Sequence, residues 1–290
     1  MRWLLLVLLI PVAALAQDSL ALPNDVDPRE ELQRTIAYSV PGMDDVRVIR
    51  NLPYHTEGGI TLEMDVYVPP VVSESDRRPA VILIGTGAPL ELKAKDWGIY
   101  TSYGRLVAAS GMIAVTFNHR VAYGLKEGAS DTRAAIGYVR DHADELNIDK
   151  DRVALVAFAG GGPLLSVAMS DPPAYIKCLV SLYAALDIRT RFAETDSPLH
   201  PDFSLLSPID QLRAHGFSMP PMLLLRASAN DELANRFTDR FLAEALKRNL
   251  DVEIINVGGA RPGFEVLRDL PSTRAAIERV LTFLKENLDP

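Results

Sequence analysis

Two apolar patterns follow one another along this chain. Between residues 46 and 68 apolar and polar positions alternate in two runs, Val46 to Leu52 and Ile60 to Val68, joined by Thr56-Glu57-Gly58-Gly59. Period-two alternation is what a strand with one buried face needs, and a short glycine-containing loop between two such runs is a hairpin signal. Pro69-Pro70 ends the hairpin. From Pro79 the strand-like runs are mainly apolar and no longer alternate: Ala80 to Ile84, Ile113 to Phe117, Val153 to Phe158, Lys177 to Tyr183, Met222 to Arg226 and Val252 to Val257. Helical periodicity separates them, over Trp97 to Ala109, Ser130 to Glu145, Pro163 to Met169, Glu232 to Arg248 and Ser272 to Asn287. Asp131 stands near the expected start of the second of these, where an acid favours the helix dipole. Continuous apolar strands alternating with helices are those of a parallel sheet covered on both faces. The expected fold is a doubly wound α/β sandwich with an antiparallel hairpin at its start. Residues 17–45 read as a loose polar lead-in, with a helix near Glu30 to Ala37, and residues 46–290 as one domain. Asp187 to Met219 is irregular and proline-rich, and Ala193 to His215 is expected to form a small lid.

Ligands of such sheets sit outside the carboxyl ends of the strands. The loops to examine follow Ile84, Phe117, Phe158, Tyr183, Arg226 and Val257. The third is unusual: in Val-Ala-Leu-Val-Ala-Phe-Ala-Gly-Gly-Gly-Pro-Leu-Leu, Val153 to Leu165, a buried strand runs into three glycines and then a helix. Hydrolases often carry Gly-x-Ser-x-Gly at this junction. Here the five positions are Ala157, Phe158, Ala159, Gly160 and Gly161.

Several segments together resemble the α/β-hydrolases, in particular the secreted esterase and feruloyl-esterase-like branch related to hormone-sensitive lipases and dienelactone hydrolases. Asn51-Leu52-Pro53-Tyr54, Gly58 to Leu62 and Asp65-Val66-Tyr67 resemble the opening hairpin. Arg78 to Val81 leads the oxyanion strand, and Ala108 to Gly111 and Phe117-Asn118-His119-Arg120 resemble the A-x-x-G and N-Y-R segments. Asp149 to Val156 leads to the elbow. The resemblance spans nearly all of residues 46–288 and implies the α/β-hydrolase fold.

The resemblance also implies a serine nucleophile, a histidine base, an orienting acid and backbone donors for an oxyanion. The nucleophile position falls on Ala159, which has no hydroxyl. Ser166, the nearest hydroxyl downstream, lies about two turns on at ~3.6 residues per turn and is expected to point away. The histidine position, in Gly259-Ala260-Arg261-Pro262-Gly263-Phe264, falls on Pro262, which cannot move a proton. The acid position falls on Asp231, whose remaining role is to cap the helix beginning near Glu232. The oxyanion segment, H-G-G-G in the family, is Gly85-Thr86-Gly87-Ala88. His55, His119, His142, His200 and His215 read as surface or structural residues, none of them where a triad needs one.

What the site could still do follows from its backbone. Gly160 and Gly161 open a helix whose first N–H groups are unpaired at the positive end of its dipole, which suits an anion. Arg261 stands beside Pro262. Gly85, Thr86, Gly87, Gly160, Gly161 and Arg261 are therefore the candidate oxyanion or ligand-binding residues, for a small anionic or ester-like ligand. Two readings stay open: a hydrolase homologue that binds without turnover, and a carboxylic-ester hydrolase with weak or non-standard activity.

Composition narrows the partners. The net charge is −8, with Lys and Arg scattered among acids, so the basic stripe of a nucleic-acid binder is missing. Met1-Arg2-Trp3, the apolar run Leu4 to Ile10 and Ala14-Leu15-Ala16 have the order of a secretory signal peptide, so an exported chain, periplasmic or secreted, is expected to start at Gln17 with no stable membrane span. The single cysteine, Cys178, sits in an apolar run and reads as a buried hydrophobe. No cofactor is expected. No metal is expected either: His55-x-Glu57 is the one close pair of ligand types, and it reads as solvated loop. The glycines at 160–162 lack the Lys-Ser/Thr of a phosphate loop.

Overall fold

The computed structural model describes residues 32–73, 75–169, 171–188, 206–215, 219–230 and 232–289. The expected signal peptide, His200, Asp231 and most of the expected lid lie outside these residues. Among the described residues, no helix is long and apolar enough to cross a membrane.

Eight strands form one sheet: β1 (Arg47–Glu57), β2 (Ile60–Val68), β3 (Arg78–Ile84), β4 (Ile113–Phe117), β5 (Ile148–Phe158), β6 (Ile176–Leu182), β7 (Met222–Ala227) and β8 (Val252–Val257). Their order is β1-β2-β4-β3-β5-β6-β7-β8. β1 and β2 pair antiparallel, β2 joins β4 antiparallel, and every pairing from β4 to β8 is parallel. The helices are α1 (Gly98–Ala109), α2 (Leu125–Asp141), α3 (Pro208–His215), α4 (Glu232–Lys247), α5 (Phe264–Leu267) and α6 (Pro271–Leu288), with 3-10 turns at Leu90–Leu92, Ala94–Asp96 and Ala159–Ala168.

Successive side chains of a strand point to opposite faces, so each central strand feeds two cores. On one face Ile82, Ile84, Val115, Leu155, Ala157 and Leu224 meet Ile136 and Val139 of α2 and Phe241 of α4. On the other Val81, Leu83, Val156, Phe158, Val180 and Leu225 meet Tyr103 and Leu106 of α1 and Ile277, Val280 and Leu284 of α6. That is why these strands read as mainly apolar, without alternation. Cys178 belongs to the second core, and burial pushes its thiol up to about 12.

The structure departs from the sequence reading in four places. β1 runs to Glu57, so only Gly58-Gly59 turn the hairpin, and His55 and Glu57 are strand residues, not solvated loop. The two glycines take φ of 58° and 79°, and glycine does this without steric cost, so the turn is shorter than the four residues expected. α2 begins at Leu125, which carries Asp131 into its second turn as a fully buried residue instead of a dipole partner at its start. The helix after β5 is 3-10, from Ala159. Finally, residues 33–46 are not loose: Ile36 and Val46 are buried, the Ile36 amide donates to Ser102 Oγ at 3.0 Å, and Arg34 to Tyr38 form no helix.

The antiparallel start is bound to the parallel sheet through a buried charge. Lys95 Nζ donates to Asn51 Oδ1 at 2.8 Å, Asp65 Oδ1 at 2.8 Å and Asp96 Oδ1 at 2.7 Å, and the side chains of Lys95 and Asp65 are fully buried. The same Asp65 oxygen accepts the Asn51 amide at 2.8 Å, where φ is 55°. Removing one partner of a buried pair strands the other charge. Lys95→Met is expected to cost about 3 kcal/mol or more of stability, measured by urea unfolding. Adding Asp65→Leu should recover part of that loss, because the stranded carboxylate is then gone.

Candidate functional site: a hydrolase elbow without its hydroxyl

β5 lies at the centre of the sheet and ends at Phe158. Ala159 follows with φ of 42°, a left-handed backbone that L-residues other than glycine rarely adopt. This is the strained strand-to-helix turn on which hydrolases present a nucleophile. It persists although the side chain is a half-buried methyl.

The three glycines after Ala159 explain how the turn is held. A Cβ on Gly161 would lie 2.5 Å from Gly85 O and 2.7 Å from Ile84 O, and one on Gly162 would lie 2.5 Å from Ala185 O. Here backbone touches backbone, so no side chain fits. The Ala185 amide also donates to Ala159 O at 2.9 Å. A Cβ on Gly160 would lie 2.9 Å from Thr86 Oγ1 and 3.4 Å from Gly87 N. Thus Gly85, Thr86, Gly87, Gly160 and Gly161 do come together, as their sequence positions implied. Ser166 is buried, and its hydroxyl donates to Pro163 O at 2.6 Å. It takes no part in the site.

The segment expected to supply oxyanion donors makes a contact that the sequence did not show. The Thr86 amide donates to the hydroxyl of Tyr100, on α1, at 2.8 Å. An expected backbone donor of the oxyanion loop is thereby engaged inside the protein.

Arg261 and Pro262 lie half-buried on the turn between β8 and α5. That turn is bound to the one after β7: Ala229 N donates to Ala260 O at 2.8 Å, and Gly259 N to Ser228 Oγ at 2.7 Å. The turn that leads to position 231 is therefore fastened to the turn carrying Pro262, the expected histidine position. Asp231 itself is outside the described residues.

His119 is structural. It is buried, Nε2 stands 3.1 Å from Gly85 O, and Nδ1 has no hydrogen-bond partner among the described residues. A carbonyl can only accept, so Nε2 carries the proton and Nδ1 is bare. Burial pushes its pKa from 6.5 to about 4, although the bond to Gly85 opposes this. Its neighbours are engaged too: Asn118 O accepts Tyr54 OH at 2.6 Å, and Asn118 Oδ1 accepts Lys95 N at 3.2 Å.

Arg120 answers the question of a metal. His55, Glu57 and Asp131 place ligand atoms within 4.8 Å of one another. The Arg120 guanidinium bonds both carboxylates, with NH2 2.6 Å from Asp131 Oδ1 and a further bond to Glu57. Its Nε donates to Asp131 Oδ2 at 3.0 Å, and its own amide donates to the same oxygen at 2.7 Å. Hydrogen bonding to Arg120 holds the Glu57 carboxyl below its usual range. The donor set already surrounds a cation, so it does not fit a metal ion. A polar depression of about 570 Å³, lined by Arg77, Arg140, Asp144 and Asp149 among others, lies at the opposite end of β5, away from the elbow. Its Arg77 pairs with Asp144 at 3.1 Å.

Comparison with known proteins agrees with this geometry. The family model BD-FAE matches residues 64–172, which hold the oxyanion segment and the elbow. Esterase 2 of Thermogutta terrifontis with propionate bound superposes with a TM-score of 0.66 at 19% identity, over 86% of this chain and 98% of that one. Its native form gives 0.65 at 19% identity over 90% and 99%, and its form phosphorylated by paraoxon 0.65 at 20% over 87% and 97%. None of the curated proteins compared matches this sequence. The chain has the α/β-hydrolase fold of these structures, with the same kind of sheet order and crossovers, and residues 64–172 are similar to the BD-FAE family.

Two expectations follow. Ala159→Gly relieves the left-handed strain, worth ~1–2 kcal/mol before the added unfolded-chain entropy of glycine offsets part of it. Gly162→Ala forces a methyl onto Ala185 and should cost about 1–3 kcal/mol. Thermal unfolding of the two variants should move in opposite directions. Nitrogen NMR of His119 should show a neutral ring with the proton on Nε2 down to about pH 4. Because the unfolded chain takes up that proton first, His119 contributes a loss of stability as pH falls from 6.5 towards 4.

Proposed function

We propose that this protein is an exported, catalytically inactive hydrolase homologue that binds a small molecule in the vacated site. The observation that carries the reading is Ala159 at φ 42°: the strained backbone of a nucleophile elbow is kept while the group it serves is gone. Pro262 removes the base, and the bond from Thr86 N to Tyr100 removes a donor. In a triad the loss of one member already removes most of its effect, leaving the ~10³–10⁴ over water that binding and the oxyanion hole supply. Here both reacting members are replaced and the hole is altered.

The ligand class proposed is a small carboxylate or ester-like molecule. The Thr86 hydroxyl, the Gly160 and Gly161 backbone and Arg261 are the groups that would receive it. The similar fold of Thermogutta esterase 2 has been seen with propionate and with butyrate bound, which supports a carboxylate as the probe. The order of residues 1–16 supports export.

The test is turnover of short-chain aryl esters by purified chain starting at Gln17, beside the double variant Ala159→Ser, Pro262→His. Wild type is expected to stay at the buffer rate, and turnover well above buffer overturns the reading. The double variant should gain weak activity, limited because one missing oxyanion donor costs ~10²–10³ in rate. Calorimetric titration with propionate and a hydroxycinnamate tests binding: heat that weakens in Arg261→Ala is expected, and no heat with either ends the ligand assignment.

A further inference from the structure

Behind the elbow lies a carboxyl group that the sequence did not single out. Glu265, in α5, is fully buried three residues after Pro262. Tyr103 OH donates to its Oε1 at 3.2 Å, and Tyr183 OH donates to its Oε2 at 3.3 Å. Tyr183 OH in turn accepts the Gly263 amide. Tyr100, one turn from Tyr103 on α1, holds the Thr86 amide, and Glu265 acts on it electrostatically. Phe158, the last residue of β5, stands edge-on to Tyr100 and Tyr103 at 5.2 and 5.1 Å.

These contacts join three loops of the vacated site. Thr86 belongs to the oxyanion segment, and Gly263 to the turn that carries Arg261 and Pro262. Tyr183 begins the segment whose Ala185 amide bonds Ala159 O. Tyr183 itself is held at φ of 44°, a left-handed conformation that a tyrosine adopts only under constraint.

The groups facing Glu265 are all neutral. α1 presents Tyr100 and Tyr103, and the end of β6 presents Tyr183. Its own amide bonds the carboxyl, and the N-terminal segment supplies only the Ala37 amide, to the Glu265 carbonyl at 2.8 Å. Among the described residues no Lys, Arg or His forms an ion pair with it. A protonated carboxyl also suits such a pocket, because on protonation one of the two tyrosine bonds can reverse: one oxygen still accepts from one tyrosine while the new O–H donates to the other. A carboxylate there is a buried charge without a cation, stabilised only by neutral donors, the two tyrosine hydroxyls and its own amide, and hydration would stabilise it further. Water can reach it only if Tyr183 or the turn after β8 moves away.

We propose that Glu265 is the positioning residue of this site: its carboxyl proton, through Tyr103 and Tyr183, holds together α1, whose Tyr100 bonds the Thr86 amide, the Tyr183 segment and the turn after β8, and its ionisation loosens them. The device stands on these contacts alone and holds whether or not the site turns over an ester. Burial pushes the group from 4.5 to about 7, against the bonds from its own amide and the two tyrosines. The folded chain therefore binds this proton more tightly than the unfolded chain. The stability it contributes is full below about 4.5, is lost as pH rises to about 7, and is level above.

The experiment compares the wild type with Glu265→Gln, which keeps the shape and the neutral hydrogen bonding at every pH. Urea unfolding is measured from pH 4.5 to 8. The wild-type folding constant should fall relative to the variant on the order of a hundredfold across that range, because each unit of pKa difference is tenfold. Subtracting the variant removes the opposite contribution of His119. The fluorescence of Trp97, stacked on Tyr100 at 6.1 Å, should show a transition near pH 7 in the wild type and none in the variant. Amide exchange at Thr86 and Gly263 should quicken through the same transition. Tyr103→Phe, which removes one donor to the carboxylate, should move the midpoint upward. It serves also if Glu265→Gln does not fold. A pH-independent difference between wild type and variant, the same fluorescence transition in both, or a transition that leaves Thr86 and Gly263 exchange unchanged overturns the proposal.

Discussion

At the centre of this protein two peptide backbones touch where other proteins place side chains. Gly161 lies against Gly85 and Ile84, and Gly162 against Ala185, closely enough that a single added carbon would overlap a carbonyl oxygen. That contact fixes how β5 meets the helix after it. It sets the left-handed turn at Ala159 and the position of the Gly85–Gly87 segment beside it. The turn is strained for any residue but glycine, so it survives only because its surroundings over-determine it. The turn is held by this packing and not by the side chain at Ala159.

The polar groups at this end of the sheet have been turned inward. Here the Thr86 amide meets Tyr100, His119 donates to Gly85, Asn118 holds Tyr54 and Lys95, and Arg120 fills the space between Asp131 and Glu57. Buried polar atoms are costly unless paired, and these pairs bind successive loops to one another. The result is a rigid frame around the turn at Ala159. The fold is held by atoms other than those that would carry chemistry at the elbow, so one does not fix the other.

Buried charge supports the same frame in three places of different character. Lys95 with Asp65, and Arg120 with Asp131, are compensated pairs joining the antiparallel start to the parallel sheet. Glu265 has only tyrosine hydroxyls and amides. In the first two pairs each acid lies beside a full positive charge. The third has none, and it lies under the loops that shape the site.

The class of fold was legible in the sequence. Strands that are mainly apolar without alternation are those buried on both faces, and strict alternation with helices leaves a parallel sheet as the solution. That Ala159 carries no hydroxyl and Pro262 no basic side chain was legible as well, because a side chain's chemistry is a local property. The limits of β1 and α2 were not, because they depend on Glu57 and Asp131 reaching Arg120, and on glycines that turn the hairpin in two residues. Nor was the tyrosine cluster. Tyr100 and Tyr103 share a helix face at a spacing that reads as core, and Glu265 looks like one more surface acid. Only the tertiary structure brings Tyr103 and Glu265 together across 162 positions, and only there does burial make that carboxyl's proton matter.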